Sequence, residues 1–196
     1  MPVNTEAYHS IKEELQAKNV QLVAVSKTKP NEDIQALYAL GQRSFGENYV
    51  QEAVEKITQL AKLRPWLVWH FIGPLQSNKT REVAEHFDWV HGVDRLKIAE
   101  RLSAQRGEFP NLGELQLCVQ VNVSDEDSKS GIPLSEAETF CDAIVKLPNI
   151  ILRGLMAIPA PSADKAEQRK AFAQVQDCFK KIQAARSTDF RYQFFD

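Results

Sequence analysis

A lysine at the end of an apolar, β-branched stretch is the residue of this sequence best suited to covalent chemistry. Residues 21–30 read QLVAVSKTKP, and Pro30 prevents the stretch from continuing as a strand. Because side chains alternate along a strand, Val23, Val25 and Lys27 share one face, and we expect the two valines to be buried. Lys27 then stands where the strand ends, either as a solvated cation or as a reactive amine.

A nucleophilic role for Lys27 requires a neutral amine, which is scarce at neutral pH. A lysine side chain in water has a pKa of about 10.4, so roughly one amine in a few thousand is uncharged at pH 7. Burial beside the valines and the positive charge of Lys29 would both disfavour the ammonium form. The pattern leaves two alternatives open, Schiff-base chemistry at Lys27 and a solvated lysine at a strand end.

Further polar or polarisable residues occur near the ends of other predicted strands. Each also has an interpretation without a functional role. His70 could be a core histidine, Lys129 a solvated charge in a loop, and Met156 a residue that fills the barrel interior. Their shared position near strand ends favours a common site. The candidates of this kind are Asn48, His70, Lys129 and Met156.

Strand and helix patterns alternate about seven times along the chain without a hairpin signal, which predicts a parallel α/β architecture. The sequence contains no GxGxxG after its first strand and no P-loop motif, which argues against those nucleotide-binding folds. Because the candidate residues follow several different strands, we favour a TIM-type (β/α) barrel, whose active face lies at the carboxyl ends of its strands. A last strand is predicted to begin at residues 190–196.

Composition is that of one ordinary globular domain, which we take to span residues 1–196. The chain is 43% hydrophobic and 26% charged, with a net charge of −2. This balance argues against non-specific binding to nucleic acid or to an anionic membrane surface. No signal peptide or membrane helix is predicted, and three widely spaced cysteines match neither a disulfide framework nor a metal site. They suggest a reducing, cytoplasmic location.

Several long words of the sequence resemble the pyridoxal phosphate homeostasis proteins, the YggS/PROSC family. They occur in the family's order and span most of the chain. The matching words are LVAVSKTKP at 22–30, FGENYVQE at 45–52, WHFIGPLQSNK at 69–79, SKSG at 128–131 and RGLMAIP at 153–159.

This resemblance implies a barrel akin to the N-terminal domain of alanine racemase that binds pyridoxal 5'-phosphate (PLP) as an internal aldimine. By position, Lys27 matches the aldimine lysine, and Asn48 and His70 match residues at the cofactor mouth. Met156 matches a residue that lines the ring pocket, and Lys129 is similar to a lysine used as a secondary site for cofactor exchange. The implied role is a monomeric PLP carrier without robust catalysis, with PLP-requiring apoenzymes as its recipients.

The sequence departs from the family pattern after FFD at 194–196, where family members continue with a strand, a helix and a last strand. The resemblance assigns the phosphate grip and an arginine facing the pyridine ring to that part. We therefore expect a barrel that lacks its last strands and helix, with unpaired edges on its first and last strands. We also expect weakened retention of PLP.

Two enzymatic alternatives share the strand-end lysine. A PLP-dependent amino-acid racemase requires a second acid–base group opposite the lysine, and Tyr49 is the only tyrosine in the strand-end words. A Schiff-base aldolase on a phosphosugar barrel requires an acid–base carboxylate, for which Glu47 is the only obvious candidate. The non-catalytic carrier is preferred because the aldolase leaves SKSG and RGLMAIP unexplained and the racemase lacks its second base.

Overall fold

Parallel strands joined by helices form one sheet, as the alternating pattern predicts. The structure, a computed structural model, describes residues 3–123 and 130–185. Its strands are β1 (Ala24–Val25), β2 (Ser44–Glu47), β3 (Val68–Phe71), β4 (Trp89–Val93), β5 (Leu115–Asn122), β6 (Ile132–Pro133) and β7 (Ile150–Met156). Its α-helices are α1 (Thr5–Gln16), α2 (Asn31–Ala39), α3 (Val50–Gln59), α4 (Thr80–His86), α5 (Leu96–Arg106), α6 (Ala137–Ile144) and α7 (Lys165–Ala185).

The main sheet has the order β1-β2-β3-β4-β5-β7, and the short β6 pairs with the end of β5. Within the described residues, β1 pairs only with β2, and β7 only with β5. The strand predicted at 190–196 lies outside the described residues. None of the described helices has the length and apolar character needed to cross a membrane.

One face of the sheet packs against the helices and forms the core. Residues that pair across neighbouring strands lie on the same face, so the register defines rows of side chains. Apart from Ala24 on β1, which is half-buried, every side chain in two of these rows is at most 1% exposed. The rows contain Phe45, Glu47, Trp69, Phe71, Val90, Leu117 and Leu152.

The opposite face is far less covered within the described structure. Its cross-strand row consists of Val25, Gly46, His70, Trp89, Gln116 and Ile151. Among the side chains of this row, only that of His70 is buried. The sheet thus has a helix side and an open side. Val25, which shares its face of the chain with Lys27, lies on the open side.

The predicted burial of the valines next to Lys27 is wrong. Val25 is 53% exposed and Val23 is half-buried, whereas Ser26 on the other face is buried. The alternation itself holds, but the helices cover the face of Ser26. Lys27 therefore follows the more open face of β1 and is itself exposed, so valine packing does not dehydrate its amine.

Candidate functional site

Lys27 lies in a tight turn directly after β1. The Lys29 N–H donates to the Ser26 carbonyl oxygen at 3.0 Å, and the Ser26 N–H donates to the Gly46 carbonyl oxygen at 2.9 Å. Thr28 has a φ of 60°, a left-handed conformation that a β-branched residue rarely adopts. The amine of Lys27 is thus presented to solvent from a turn that is tied to β2.

An ion-pair network, buried at Glu47 and Lys56 and partly exposed at Glu52, joins this turn to β2 and α3. Lys56 Nζ donates to Glu47 Oε1 at 2.8 Å, to Glu52 Oε1 at 2.6 Å and to the Ser26 carbonyl oxygen at 2.7 Å. The Ser26 hydroxyl donates to Glu47 Oε1 at 2.7 Å, and the Thr28 N–H donates to Glu52 Oε1 at 2.5 Å. Burial raises the pKa of Glu52, but the hydrogen bonds from Lys56 and Thr28 outweigh it and hold that pKa below its ordinary value.

Sequence reasoning missed this network and misjudged Glu47. The carboxylate of Glu47 is fully buried on the helix side of the sheet and paired with Lys56, so it does not lie free at the mouth as an acid–base group. Only the spacing of Glu52 and Lys56, which are four residues apart on a helix, was available as a signal. The link to Glu47 depends on tertiary packing.

Asn48 follows β2 and touches the backbone at the end of β3. A Cβ at Gly73 would lie 2.5 Å from the Asn48 carbonyl oxygen and 2.9 Å from its Cα, so glycine is required for this approach. Oδ1 of Asn48 is buried and has no hydrogen-bond partner within the described structure. A cavity of about 410 Å³ opens here, lined by Asn48, Tyr49, Phe71, Pro74, Gln76 and Lys79.

His70 pairs with a second histidine that sequence reasoning did not single out. Its Nδ1 lies 2.9 Å from Nε2 of His91, and its ring stacks on Trp89 with 5.4 Å between centroids. Burial and the neighbouring His91 lower the pKa of His70 to about 3, and burial lowers the pKa of His91 to about 4. Both imidazoles are therefore neutral at neutral pH, so one ring donates its N–H and the other accepts.

The interpretation of His70 as a satisfied core histidine accounts for only one of its nitrogens. Nδ1 is bonded to His91, but Nε2 is buried without a hydrogen-bond partner among the residues described. The sequence could not reveal the pair because the contact between His70 and His91 depends on the register of β3 against β4.

The remaining candidates differ in how well they can be placed. Met156 is the last residue of β7, is half-buried and pairs with Gln120. Because the strands are parallel, Lys27, Asn48 and Met156 follow or end strands at one edge of the sheet, although β1 and β7 stand at opposite ends of the strand order. Lys129 lies outside the described residues. No group of three metal-binding side chains converges within 3–123 and 130–185.

The chain is similar to known proteins over most of its length. A family model described as the N-terminal domain of alanine racemase matches residues 5–192. A pyridoxal phosphate homeostasis protein of Pasteurella multocida is 55% identical over 166 residues, which cover 85% of this chain and 70% of the relative.

Two solved structures of PipY from Synechococcus elongatus are also similar, each at 38% identity. The structure without PLP has a TM-score of 0.87 and covers 96% of this chain and 85% of that chain. The structure with PLP bound has a TM-score of 0.84 and covers 96% of this chain and 84% of that chain.

The parallel sheet and these matches define a TIM-type (β/α) barrel of the alanine racemase N-terminal domain class, which confirms the predicted fold. At the level of sequence, the chain belongs to the pyridoxal phosphate homeostasis protein family, as the five matching words predicted.

Proposed function

We propose that this protein binds PLP in intracellular PLP homeostasis and holds it as a Schiff base on Lys27. The name of its relatives and the PLP in one PipY structure support this proposal. The observation that carries it is the exposed amine of Lys27, which a hydrogen-bonded turn presents at the carboxyl end of β1.

Two buried atoms near the same edge suit a cofactor with several hydrogen-bonding groups. Asn48 Oδ1 and His70 Nε2 have no partner in the described part of the chain, and a buried polar atom in that state costs about 1–3 kcal/mol. A ligand that bonds to these atoms recovers this free energy. We propose Asn48 and His70 as cofactor contacts, Met156 as part of the ring pocket and Lys129 as a secondary site.

Bond formation at Lys27 requires no further reactant. When PLP is bound, the neutral Nζ of Lys27 would supply the electron pair for the bond to the aldehyde carbon, and its two protons would leave with the aldehyde oxygen as water. Water is a product in this direction and a reactant in the reverse one. The solvent exposure of Lys27 therefore suits a lysine that both accepts and releases its cofactor.

The protein is proposed to be a non-catalytic carrier rather than a racemase. Racemisation by two bases needs a second acid–base group on the face opposite the lysine. Tyr49, the only tyrosine of the strand-end words, is 57% exposed and lines the cavity beside Asn48. Exchange of the α-proton of amino acids in D₂O tests this choice, because sustained exchange by the PLP-loaded protein would favour the racemase.

The aldolase alternative loses its acid–base residue. Glu47 is fully buried and ion-paired, so its carboxylate is unsuited to proton transfer with a sugar phosphate at the mouth. In place of turnover, the proposed role of this barrel domain is delivery of PLP to apoenzymes, as a cytoplasmic monomer. The free thiols of Cys118, Cys141 and Cys178 are in keeping with a reducing compartment.

Titration with PLP, followed by borohydride reduction and peptide mapping, tests the proposal. We expect Schiff-base absorbance to rise with PLP and the reduced label to lie on Lys27. Lys27→Ala should abolish both signals, while Lys62→Ala, which removes an exposed amine outside this turn, should leave them unchanged. A label that persists unchanged in Lys27→Ala would refute the assignment, and fixation of a sugar phosphate instead of PLP would favour the aldolase.

A further inference from the structure

The side chain of Lys56 is only 8% exposed, and its ammonium group donates all three of its hydrogen bonds within the protein. It has three protons and three acceptors, which are Glu47 Oε1, Glu52 Oε1 and the Ser26 carbonyl oxygen. Removing such a cation from water has a large desolvation cost, so a gain in stability does not by itself explain why Lys56 is buried. Buried ion pairs are often replaceable by apolar residues of similar size without loss of stability.

The acceptors of Lys56 lead directly to both neighbours of Lys27. Ser26 is held through its carbonyl oxygen by Lys56 and through its hydroxyl by Glu47. Thr28 is held through its N–H by Glu52, which Lys56 also bonds. The residues before and after Lys27 are thus fixed to one charge cluster, in which Glu47 and Lys56 are buried and Glu52 is 28% exposed.

The backbone of the turn needs such support. Thr28 adopts a φ of 60°, and a left-handed conformation is unfavourable at a β-branched residue. Conformations of this kind persist where the surroundings determine them. The hydrogen bonds of Ser26 and Thr28 to the cluster hold the turn in this conformation.

We propose that Glu47 and Lys56 are positioning residues that fix the turn of Lys27, so that its amine meets the aldehyde of PLP in one orientation. This inference rests on the proposed function and assigns a role to a network that does not itself touch the cofactor. It also gives the cluster a second effect. Because Lys56 is bonded to three acceptors, its amine does not compete with Lys27 for the aldehyde.

The decisive variant is the double substitution Glu47→Gln with Lys56→Met. It replaces the Glu47–Lys56 ion pair by neutral groups of similar size. Glu52 also loses Lys56 as a partner, but its side chain is 28% exposed, so no fully buried charge is left unpaired. The double substitution removes the bond from Lys56 to Ser26 and the bond from Lys56 to Glu52, so we expect the turn to be held less firmly. Ser103→Ala is a matched control for loss of stability, because Ser103 on α5 is buried and donates a part-buried hydrogen bond to the Pro148 carbonyl oxygen in the turn before β7.

Three measurements separate positioning from mere stability. Urea unfolding gives the stability of each variant, and hydrogen exchange reports the turn amides of Thr28 and Lys29 without any cofactor. The rate of Schiff-base formation at limiting PLP, with peptide mapping of the reduced label, reports the orientation of Lys27. In the double variant we expect faster exchange at both amides and a rate on the order of ten- to a hundredfold lower, because small misplacements of a reacting group have effects of that size.

Each outcome decides the question. Slower Schiff-base formation with near-normal unfolding in the double variant, and a normal rate in Ser103→Ala, would support positioning. A normal rate, normal exchange and exclusive labelling of Lys27 in the double variant would overturn the inference while leaving the proposed function intact. If the natural sequence itself gave no reducible label on Lys27, the proposed function would fail and the inference would fall with it.

Discussion

Gly73 and Asn48 lie so close together that a methyl group on Gly73 would stand 2.5 Å from the Asn48 carbonyl oxygen. The backbone just after β3 therefore fixes the position of Asn48, the residue that follows β2. This contact matters for the candidate site because Asn48 carries a buried Oδ1 without a hydrogen-bond partner in the described residues.

Replacement of Gly73 by alanine should displace Asn48, because the nearest atoms are backbone atoms that have no rotamer to change. We expect a loss of about 1–3 kcal/mol in the free energy of unfolding, measured in urea, together with weaker PLP binding. Gly107→Ala is the matched control, since a Cβ at Gly107 would lie 2.7 Å from Nδ2 of Asn149, which is a side-chain atom rather than a backbone atom. Equal effects of the two substitutions on PLP affinity would contradict the importance of the Gly73 contact.

Asn48 itself should contribute directly to cofactor affinity. A single hydrogen bond is worth about 0.5–1.5 kcal/mol, so Asn48→Ala is expected to weaken PLP binding by up to about tenfold. Asn31→Ala provides the comparison, because Asn31 on α2 also has a buried Oδ1 without a partner among the described residues, while its side-chain amide donates to Gln59. Spectroscopic titrations of both variants test this, and an unchanged affinity in Asn48→Ala would remove it from the site.

The architecture was predictable because it depends on local patterns. A proline three residues beyond Lys27 and the alternation of strands and helices suffice to place the lysine at a strand end of a parallel fold. Burial of Val25 was mispredicted because alternation defines two faces but does not say which one the helices cover. That choice depends on how the whole sheet is packed.

The partners of the candidate residues were not predictable from sequence. His91 reaches His70 only through the register of two strands, and Lys56 reaches Glu47 across the connection from β2 to α3. Both contacts join residues whose spacing has no periodic signature. The resemblance to a known family pointed to His70 and Lys27, but the surroundings of these residues emerged only from the three-dimensional structure.

Arg106 is expected to be essential for stability. Its side chain is almost fully buried and donates to four carbonyl oxygens, those of Ala84, Phe87, Leu112 and Gly113. A lysine lacks the planar fork that reaches all four, so Arg106→Lys should lower the free energy of unfolding by about 3 kcal/mol or more. Arg101→Lys, at an exposed position of the same helix, should change it by less than about 0.5 kcal/mol. Urea unfolding of both variants decides between these expectations.

The histidine pair predicts an acid-sensitive stability. Burial places the pKa of His70 at about 3 and that of His91 at about 4, well below the value of about 6.5 expected in the unfolded chain. As the pH falls from about 6.5 towards the folded-state pKa values, the unfolded state binds more protons than the folded state, so the folded state loses stability. From pH 7 to pH 5 each imidazole should remove about 2 kcal/mol from the free energy of unfolding.

This prediction is measured by urea unfolding of the cofactor-free protein at both pH values, beside the double variant His70→Gln with His91→Gln. The other titrating groups are common to both proteins, so the difference between their pH dependences isolates the pair. We expect the natural sequence to lose about 4 kcal/mol more than the variant between pH 7 and pH 5. Parallel pH profiles would mean that the two imidazoles accept protons in the folded state as readily as in the unfolded one.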